Sequence, residues 1–260
     1  MYFETVKKGG VIYRAANGLG ATHAFSTRFS GVSTVEHLRS LNFGFDRGEC
    51  RENVEENYKI FLNTLGLDHI NRASGEQTHS TNVQTVLKTG AVQVFHDTDG
   101  LVTNEMGVSL IVKIADCSPV LLYDPKNHVI GALHCGWRGA ARGMCAVGVE
   151  KMRALGAEPQ NIRVALGACI HDCCFEVKED FKSELISLAG ADMAKRYIRC
   201  ENGVMHADLV GINLHFLNEA GILQENVCVD PLCTCCDPKT FFSHRATKGK
   251  RGTMCAVICQ

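Results

Sequence analysis

Three short segments of the sequence place metal-competent side chains in tight turns or at the ends of predicted strands. They are Gly75–Ser80 with His79, Ile114–Val120 with Cys117, and Leu133–Gly139 with His134. One thiol and two imidazoles are a plausible zinc ligand set, and three protein ligands leave a fourth position open, as in catalytic zinc sites. The ligands lie 38 and 17 residues apart in the chain, so only the fold can bring them together.

Each of these residues also has a simpler interpretation. A single cysteine is most often a buried thiol, and a turn histidine such as His79 is more often a hydrogen-bonded structural residue. A further alternative makes Cys117 a nucleophile, with Asp116 nearby for proton handling.

The segment after His134 also has features of an anion site. An apolar strand runs into Gly136–Gly139 and then into a helix, and a helix N-terminus exposes N–H groups that favour anions. Arg138 and Arg28 are candidate phosphate ligands, because a planar guanidinium can hold phosphate oxygens bidentately. The alternative is that the glycines only allow a tight turn, that Trp137 is a core residue and that Arg138 forms a bracing salt bridge.

Composition narrows the class of protein. The chain has 260 residues, 45% of them hydrophobic and 21% charged, with a net charge of −1. This balance excludes intrinsic disorder and gives no electrostatic reason to expect nucleic acid as a partner. No apolar run approaches the ~20 residues of a membrane span, and the N-terminus lacks a signal-peptide pattern. Fourteen cysteines in a chain of this length predict free thiols in a reducing cytoplasm.

Hydrophobic periodicity supplies the elements that must position these residues, and it predicts one domain over residues 1–260. Strands are predicted at Thr22–Thr27, Asn82–Leu87, Val108–Ala115, Val120–Tyr123, Val129–His134, Ile162–Leu166, Asn226–Val229 and Thr253–Ile258. Helices are predicted at Glu49–Leu65, Arg138–Leu155, Val177–Ala189 and Asp208–Ala220. This alternation is typical of a layered α/β or α+β fold with a mixed sheet.

Ordered motifs along nearly the whole chain resemble those of the YfiH/laccase-domain family. The matching segments are Ser26–Ser33 (S-T-R-x-x-G-V-S), Ser40–Asn42 (S-L-N), Gln77–His79 (Q-x-H), Asp99–Thr103 (D-A-L-V-T), Ala115–Val120 (A-D-C-x-P-V), His134–Gly139 (H-A-G-W-R-G), Cys173–Val177 (C-C-Y-E-V), Cys233–Thr234 (C-T) and Phe241–Arg245 (F-F-S-Y-R). Members of this family were first called multicopper polyphenol oxidases. They were later described as zinc-dependent purine nucleoside phosphorylases with adenosine deaminase activity.

The resemblance implies an α/β/β/α sandwich with mixed sheets. It implies that His79, Cys117 and His134 bind a catalytic zinc ion, with Asp116 beside them, and that copper is the alternative metal. The implied substrates are purine nucleosides (adenosine, inosine, guanosine and S-methyl-5'-thioadenosine) and phosphate. The residues implied to bind substrate or phosphate are Arg28, Asn42, Arg138, Ser243 and Arg245.

Two other functions remain open from the residues alone. A copper-dependent polyphenol oxidase would use Cys and His ligands, but coupled multicopper oxidation needs many more histidines in paired motifs, and no H-x-H occurs. A cysteine hydrolase or peptidoglycan precursor editing factor would use Cys117 as nucleophile and a histidine as base. The sequence does not indicate an oligomeric state.

Some positions depart from the family pattern or stay unassigned. Cys135 replaces a small residue and is predicted to point away from the ligands, because neighbouring strand residues face opposite sides. Gly167–Ile170 lacks a G-P pair, and Arg251–Met254 departs from T-G-R-M, which weakens any role for Arg251. Most of the late cysteines are expected to be buried thiols, with a second metal site around Cys233–Cys236 as the alternative. Further pocket candidates are His171, His206 and His244.

Overall fold

The computed structural model describes all residues from 1 to 260. The strands are β1 Tyr2–Lys8, β2 Val11–Asn17, β3 Thr22–Ser26, β4 Arg72–Gly75, β5 Val83–Thr85, β6 Gln93–Phe95, β7 Gly100–Thr103, β8 Ser109–Ile114, β9 Ser118–Asp124, β10 Val129–Cys135, β11 Arg163–Leu166, β12 Glu176–Val177, β13 Ile198–Glu201, β14 Val204–Ala207, β15 Val227–Val229 and β16 Met254–Cys259. The helices are α1 Arg51–Leu65, α2 Trp137–Ala141, α3 Met144–Ala154, α4 Glu179–Ala189, α5 Ala191–Tyr197 and α6 Leu209–Glu219. No helix combines the length and the apolarity that crossing a membrane requires.

Two large mixed sheets form the centre of the protein. The seven-stranded sheet has the order β1-β2-β3-β16-β8-β4-β6, and the six-stranded sheet has the order β15-β11-β9-β10-β7-β5. In the first sheet β8 pairs antiparallel with β16 and parallel with β4. In the second, β11 pairs antiparallel with β9 and parallel with β15. A small third sheet joins β12, β14 and β13.

Strand alternation shows that the two large sheets pack face to face, with helices outside. In β8, Leu110 belongs to the apolar cluster between the sheets, whereas Ile111 faces α1 on the outer side. In β10, Ile130 faces the first sheet, whereas Leu133 packs among residues of α2, α3 and α6. Each sheet therefore buries apolar side chains on both faces, which is the main favourable contribution to folding. The predicted α/β/β/α layering is confirmed.

Several predicted elements differ from the structure. The helix predicted over Arg138–Leu155 is two helices, because Gly143 between them has a left-handed φ of 79° that ends the first helix. The helix predicted from Val177 begins at Glu179, because Val177 pairs with Met205 in the third sheet.

The prediction left out eight strands, most of which are short or exposed. They are β1, β2, β4, β6, β7, β12, β13 and β14. Strand β1 is mostly exposed, and β4, β6 and β7 have only three or four residues each. Such segments give too few alternating apolar positions to be recognised, and only their partner strands stabilise them.

Candidate active site

The three predicted metal ligands meet at one edge of the sandwich, where the chain passes between the sheets. Cys117 lies in the link from β8 in the first sheet to β9 in the second, and His79 lies in the link from β4 to β5, which makes the same crossing. Strand β10 pairs with β9 so that His134 lies opposite Pro119. Strand register therefore brings His134 beside the start of β9, where Cys117 is located.

The donor atoms of His79, Cys117 and His134 all lie within 4.8 Å of one another. Nε2 of His79 is 3.7 Å from Sγ of Cys117, close to the ~3.6 Å expected for two such ligands on a tetrahedral zinc ion. His134 is buried, Cys117 is half-buried and His79 is exposed. The donor set thus fits a metal ion with an open position toward solvent, and thiolate plus imidazole ligands suit zinc or copper.

Asp99 organises this cluster, and the sequence analysis assigned it no role. Its buried carboxylate accepts a hydrogen bond from Nδ1 of His134 at 2.7 Å. It also accepts the backbone N–H groups of Thr78, His79 and Ser80. A carboxylate on Nδ1 fixes the histidine tautomer and leaves Nε2 free to bind a metal. The signal was present in the Asp99–Thr103 motif, since an aspartate directly precedes a short apolar strand.

Electrostatics within the cluster favour a thiolate. Burial acts to raise the pKa of Cys117, but the positive charge of His134 and hydrogen bonds from His134 and His79 outweigh it and lower that pKa to about 6. Burial likewise opposes protonation of His134, but the Cys117 thiolate and Asp99 raise its pKa to about 9. Without a metal, Cys117 and His134 therefore form a thiolate–imidazolium pair at neutral pH.

Gly136 makes room for the ring of His79. A Cβ atom at position 136 would lie 2.2 Å from Cδ2 of His79 and 3.0 Å from its Nε2, and at Gly139 it would lie 2.8 Å from the carbonyl oxygen of Ser80. These glycines therefore let the loop that carries His79 pack directly on the turn after β10. The loop covers the turn, so the structure does not leave this turn open as the predicted anion site.

A cavity of about 640 Å³ opens above the three ligands. Besides the ligands, its wall carries basic residues from three segments: Arg47, Arg51, Lys113 and Arg251. The acidic residues of the wall are Asp46 and Glu76. The cavity combines a candidate metal site with a net positive wall, which suits an anionic ligand.

Asp116 is placed differently from its predicted part in proton handling. One carboxylate oxygen accepts the hydroxyl of Thr234 at 2.6 Å, and the other accepts the N–H of Arg245 at 2.7 Å. The side chain is buried and does not line the cavity. Asp116 therefore positions the link that carries Cys117 from outside the cavity.

None of the predicted phosphate ligands Arg28, Arg138 and Arg245 lines the metal-site cavity. Arg138 forms a two-pronged ion pair with Glu184 at 2.9 and 3.1 Å, and it stacks on Trp137, which is the bracing alternative. Arg28 donates to the carbonyls of Arg39 and Pro238 and stacks on a phenylalanine ring. Arg245 donates from Nη1 to the backbone carbonyls of Cys174 and Glu176.

The side chains of Asn42 and Ser243 also form hydrogen bonds with backbone groups. The buried Asn42 side chain donates to the carbonyl of Gly44 and accepts the N–H groups of Gly44 and Thr253. Ser243 accepts the N–H of Ala246, and it lines a smaller cavity of about 300 Å³ together with Arg28. Neither His171, His206 nor His244 lines the larger cavity.

Sequence reasoning missed the basic residues that do line the cavity. Lys113 interrupts the apolar pattern of β8, and its backbone is paired in both directions with the side chain of Gln77 at 2.7 Å. Arg47 follows the S-L-N motif by a few residues. Arg251 was discounted for its departure from the family pattern, yet it lies on the cavity wall.

Cys135 and the late cysteines lie in different parts of the structure. Cys135 points away from the ligands, as predicted, and lies under the helices with its Sγ 3.7 Å from that of Cys145. The expectation that most of the six late cysteines are buried is wrong, since only two of them are buried, and Cys173 and Cys236 are exposed. They belong to a separate cluster of four thiols.

The fold and this site define the class of protein: the chain belongs to the family described as multi-copper polyphenol oxidoreductase laccase, which matches residues 22–260. The membership expected from the motifs is thereby confirmed. A purine nucleoside phosphorylase of Deinococcus radiodurans is 35% identical and aligns over 95% of this chain and 92% of its own. The crystal structure of YlmD from Geobacillus stearothermophilus has a TM-score of 0.88 at 27% identity and covers 98% of both chains. The sequence of purine nucleoside phosphorylase YlmD from that organism is 30% identical over 98% of this chain and 96% of its own.

Proposed function

We propose that the protein is a zinc-dependent purine nucleoside phosphorylase that also deaminates adenosine. The names of its relatives support the reaction class. The observation that carries the proposal for this chain is that the cluster of His79, Cys117 and His134 shares one cavity with Arg47 and Arg251, whose buried Nε atoms have no acceptor in the protein. The proposed substrates are adenosine, inosine, guanosine and S-methyl-5'-thioadenosine, each with phosphate.

The volume of the cavity and the positive charge of its lining residues support these substrates. Its volume of about 640 Å³ lies within the ~300–1,000 Å³ common for small-molecule sites. A nucleoside can therefore lie over the metal ligands with a phosphate beside its ribose. One cavity can serve both reactions, because phosphorolysis uses phosphate at C1′ of the ribose whereas deamination uses water at C6 of the purine.

We assign phosphate binding to Arg47, Lys113 and Arg251 in place of the arginines expected from the sequence. The buried Nε atoms of Arg47 and Arg251 have no hydrogen-bond acceptor in the protein. Burial and the charge of Arg47 lower the pKa of Arg251, so a bound anion would favour its charged form. A bound phosphate would supply both acceptors and compensate the charge.

The basic residues and the metal ligands have different proposed roles in phosphorolysis. In phosphorolysis a phosphate oxygen forms a bond to C1′, and the electrons of the N-glycosidic bond leave with the purine. The three basic residues hold and orient the phosphate, which removes much of the entropic cost of the encounter. Asp99 keeps the proton on Nδ1 of His134, so that Nε2 points its lone pair into the site. A zinc ion bound there supplies Lewis-acid polarisation at its open position.

A multicopper centre has less support. Of the two clusters with three or more metal-competent side chains, only one contains histidine. Coupled multicopper oxidation would need several histidine-rich sites.

The test is product analysis of zinc-loaded protein with a nucleoside panel, with and without phosphate. We expect free purine base only with phosphate, and ammonia from adenosine in either condition. Arg251→Met should raise the apparent KM for phosphate about tenfold or more, because a hydrogen bond to a charged group contributes about 1.5–3 kcal/mol. Arg138→Met is the matched control and should leave that KM unchanged. Absence of base release from every nucleoside would refute the proposal.

A further inference from the structure

A second group of metal-competent side chains lies apart from the cavity. The sulfur atoms of Cys173, Cys174, Cys233 and Cys236 all lie within 4.8 Å of one another. Sγ of Cys236 is 3.3 Å from that of Cys174 and 3.5 Å from that of Cys173. None of the four residues lines the metal-site cavity.

These distances match shared ligation of one ion. Four sulfur atoms at ~2.3 Å from a tetrahedral zinc ion lie ~3.8 Å from each other. The sulfur–sulfur separations among Cys173, Cys174 and Cys236 are 3.3, 3.5 and 3.9 Å. A disulfide would instead require a separation of ~2.05 Å and would use only two of the four thiols.

Backbone hydrogen bonds fix the position of Cys233 in this cluster without a bound ion. Cys233 pairs with Cys169 in an isolated β-bridge, and the N–H of Thr234 donates to the carbonyl of Cys169 at 2.9 Å. The sulfur of Cys233 accepts the N–H of His171 at 3.4 Å and further backbone N–H groups from Cys235 and Cys236. Donors aimed at a sulfur atom stabilise its thiolate form, which is the form that binds metals.

We propose that Cys173, Cys174, Cys233 and Cys236 bind one structural zinc ion. Four protein ligands leave no open position, which is the character of a structural and not a catalytic site. Thiolate ligands select zinc over magnesium or calcium. This site is independent of the proposed phosphorylase chemistry and holds a different ion from the His79 cluster.

The proposed ion would stabilise the backbone that supports the cluster of His79, Cys117 and His134. It would join the turn at Cys173–Cys174 to the turn at Cys233–Cys236, and hydrogen bonds of Thr234, Ile170 and Arg245 connect this region to the link that carries Cys117. Thr234 donates to the Asp116 carboxylate, and the N–H of Ile170 donates to the Asp116 carbonyl at 2.8 Å. Arg245 donates both to this carboxylate and to the carbonyl of Cys174.

The test counts zinc per chain by mass spectrometry of the full-length protein, purified under reducing conditions without chelator. We expect two zinc ions in the unmodified protein and one in each of Cys117→Ser and Cys236→Ser. Cys235→Ser is the matched control, because it lies between two of the ligands but outside the cluster, and it should keep both ions. One ion in the unmodified protein, retained in Cys236→Ser, would overturn the proposal.

A second measurement covers the case in which Cys236→Ser does not fold. Cys117→Ser protein, stripped of zinc and loaded with cobalt, should show thiolate-to-cobalt charge-transfer bands and the intense visible bands of tetrahedral cobalt. Absence of these bands would overturn the proposal. So would a disulfide between two of these four cysteines, identified by peptide mapping of the unreduced protein.

Discussion

Replacing Asp99 with asparagine tests whether this buried carboxylate sets the protonation of His134. Oδ1 of Asp99 accepts from Nδ1 of His134 and from the N–H of His79, at 2.7 and 3.1 Å. Oδ2 accepts from the N–H groups of Thr78 and Ser80 at 3.0 and 2.8 Å. A carboxylate only accepts hydrogen bonds, whereas an amide donates from one of its two ends. Asp99→Asn therefore places an NH₂ group against N–H donors in either orientation.

The two orientations harm the site in different ways. With the amide nitrogen toward His134, Nδ1 must accept a hydrogen bond, so the imidazole proton moves to Nε2 and this atom can no longer bind a metal. With the amide oxygen toward His134, the amide nitrogen faces the N–H groups of Thr78 and Ser80. A buried donor without an acceptor costs about 1–3 kcal/mol.

We expect Asp99→Asn to weaken metal binding at the His79 cluster about 10–100-fold, as is usual for the carboxylate behind a histidine ligand. This loss corresponds to about 1.4–2.8 kcal/mol. The unpaired donors should also lower Tm by about 2–12 °C, since 1 kcal/mol shifts Tm by about 2–4 °C in a protein of this size.

Metal affinity is measured by competition with a chromophoric chelator, and stability by thermal unfolding of the metal-free protein. The control is Asp124→Asn at the opposite end of β9, where another buried carboxylate accepts the N–H groups of Lys126, Asn127 and Glu158. This variant should lose comparable stability and keep its metal affinity. The reasoning is refuted if folded Asp99→Asn protein binds metal normally, or if both variants lose affinity equally.

Three further predictions concern the same cluster. Gly136→Ala should displace the ring of His79, which the new Cβ would approach to 2.2 Å, and reduce metal affinity about tenfold or more in the chelator assay; unchanged affinity would contradict the assigned role of this glycine. Cys117→Ala should lose the metal of this site and all activity while unfolding cooperatively near the normal temperature, because a core of this size folds without it; full phosphorolysis by such metal-free protein would exclude the zinc mechanism. In the metal-free protein, iodoacetamide should alkylate Cys117 with a pH midpoint of about 6, since the thiolate is the reactive form and exists above the folded-state pKa. His134→Gln should move this midpoint upward, and a midpoint that stays at about 6 would show that His134 does not stabilise the thiolate.

A layered fold with a mixed sheet could be predicted because its strand and helix signals are local, whereas the α/β/β/α order and the metal ligand set were predicted from the family resemblance. In β8, apolar residues recur at every second position, Leu110, Val112 and Ile114. Cys117 directly precedes β9, and His134 is the last residue but one of β10. Cys117 and His134 converge because β9 and β10 pair as neighbours, as strands joined by a short turn usually do. His79 reaches them through the link from β4 to β5, and β4 was not predicted.

The phosphate-binding residues could not be predicted in the same way, because an arginine's role depends on its partners. Arg138 looked exposed and available beside a metal ligand, but Glu184 lies 46 residues further along the chain and reaches it through the packing of α4 on α2. Arg251 departed from the family pattern, yet the fold brings it to Arg47 and leaves both Nε atoms unpaired. Contacts between residues so far apart in the chain cannot be read from local sequence patterns.

The location of the cluster follows from the way the chain crosses between the sheets. A link that leaves one sheet for another has backbone N–H and C=O groups that no strand partner satisfies, and buried groups of this kind need other partners. Asp99 accepts three consecutive N–H groups of the link that carries His79. The side chain of Gln77 pairs with the backbone of Lys113 in the neighbouring strand.

The same hydrogen bonds that make these crossings stable therefore also fix the metal ligands. Asp99 satisfies one link and at the same time orients His134, while Asp116 holds the other link through its carbonyl and both carboxylate oxygens. The ligand geometry is thus imposed by the folded chain and does not wait for the ion. This preorganisation lowers the conformational cost of metal binding, and it explains why the donor atoms of His79, Cys117 and His134 lie at ligation spacing in the protein alone.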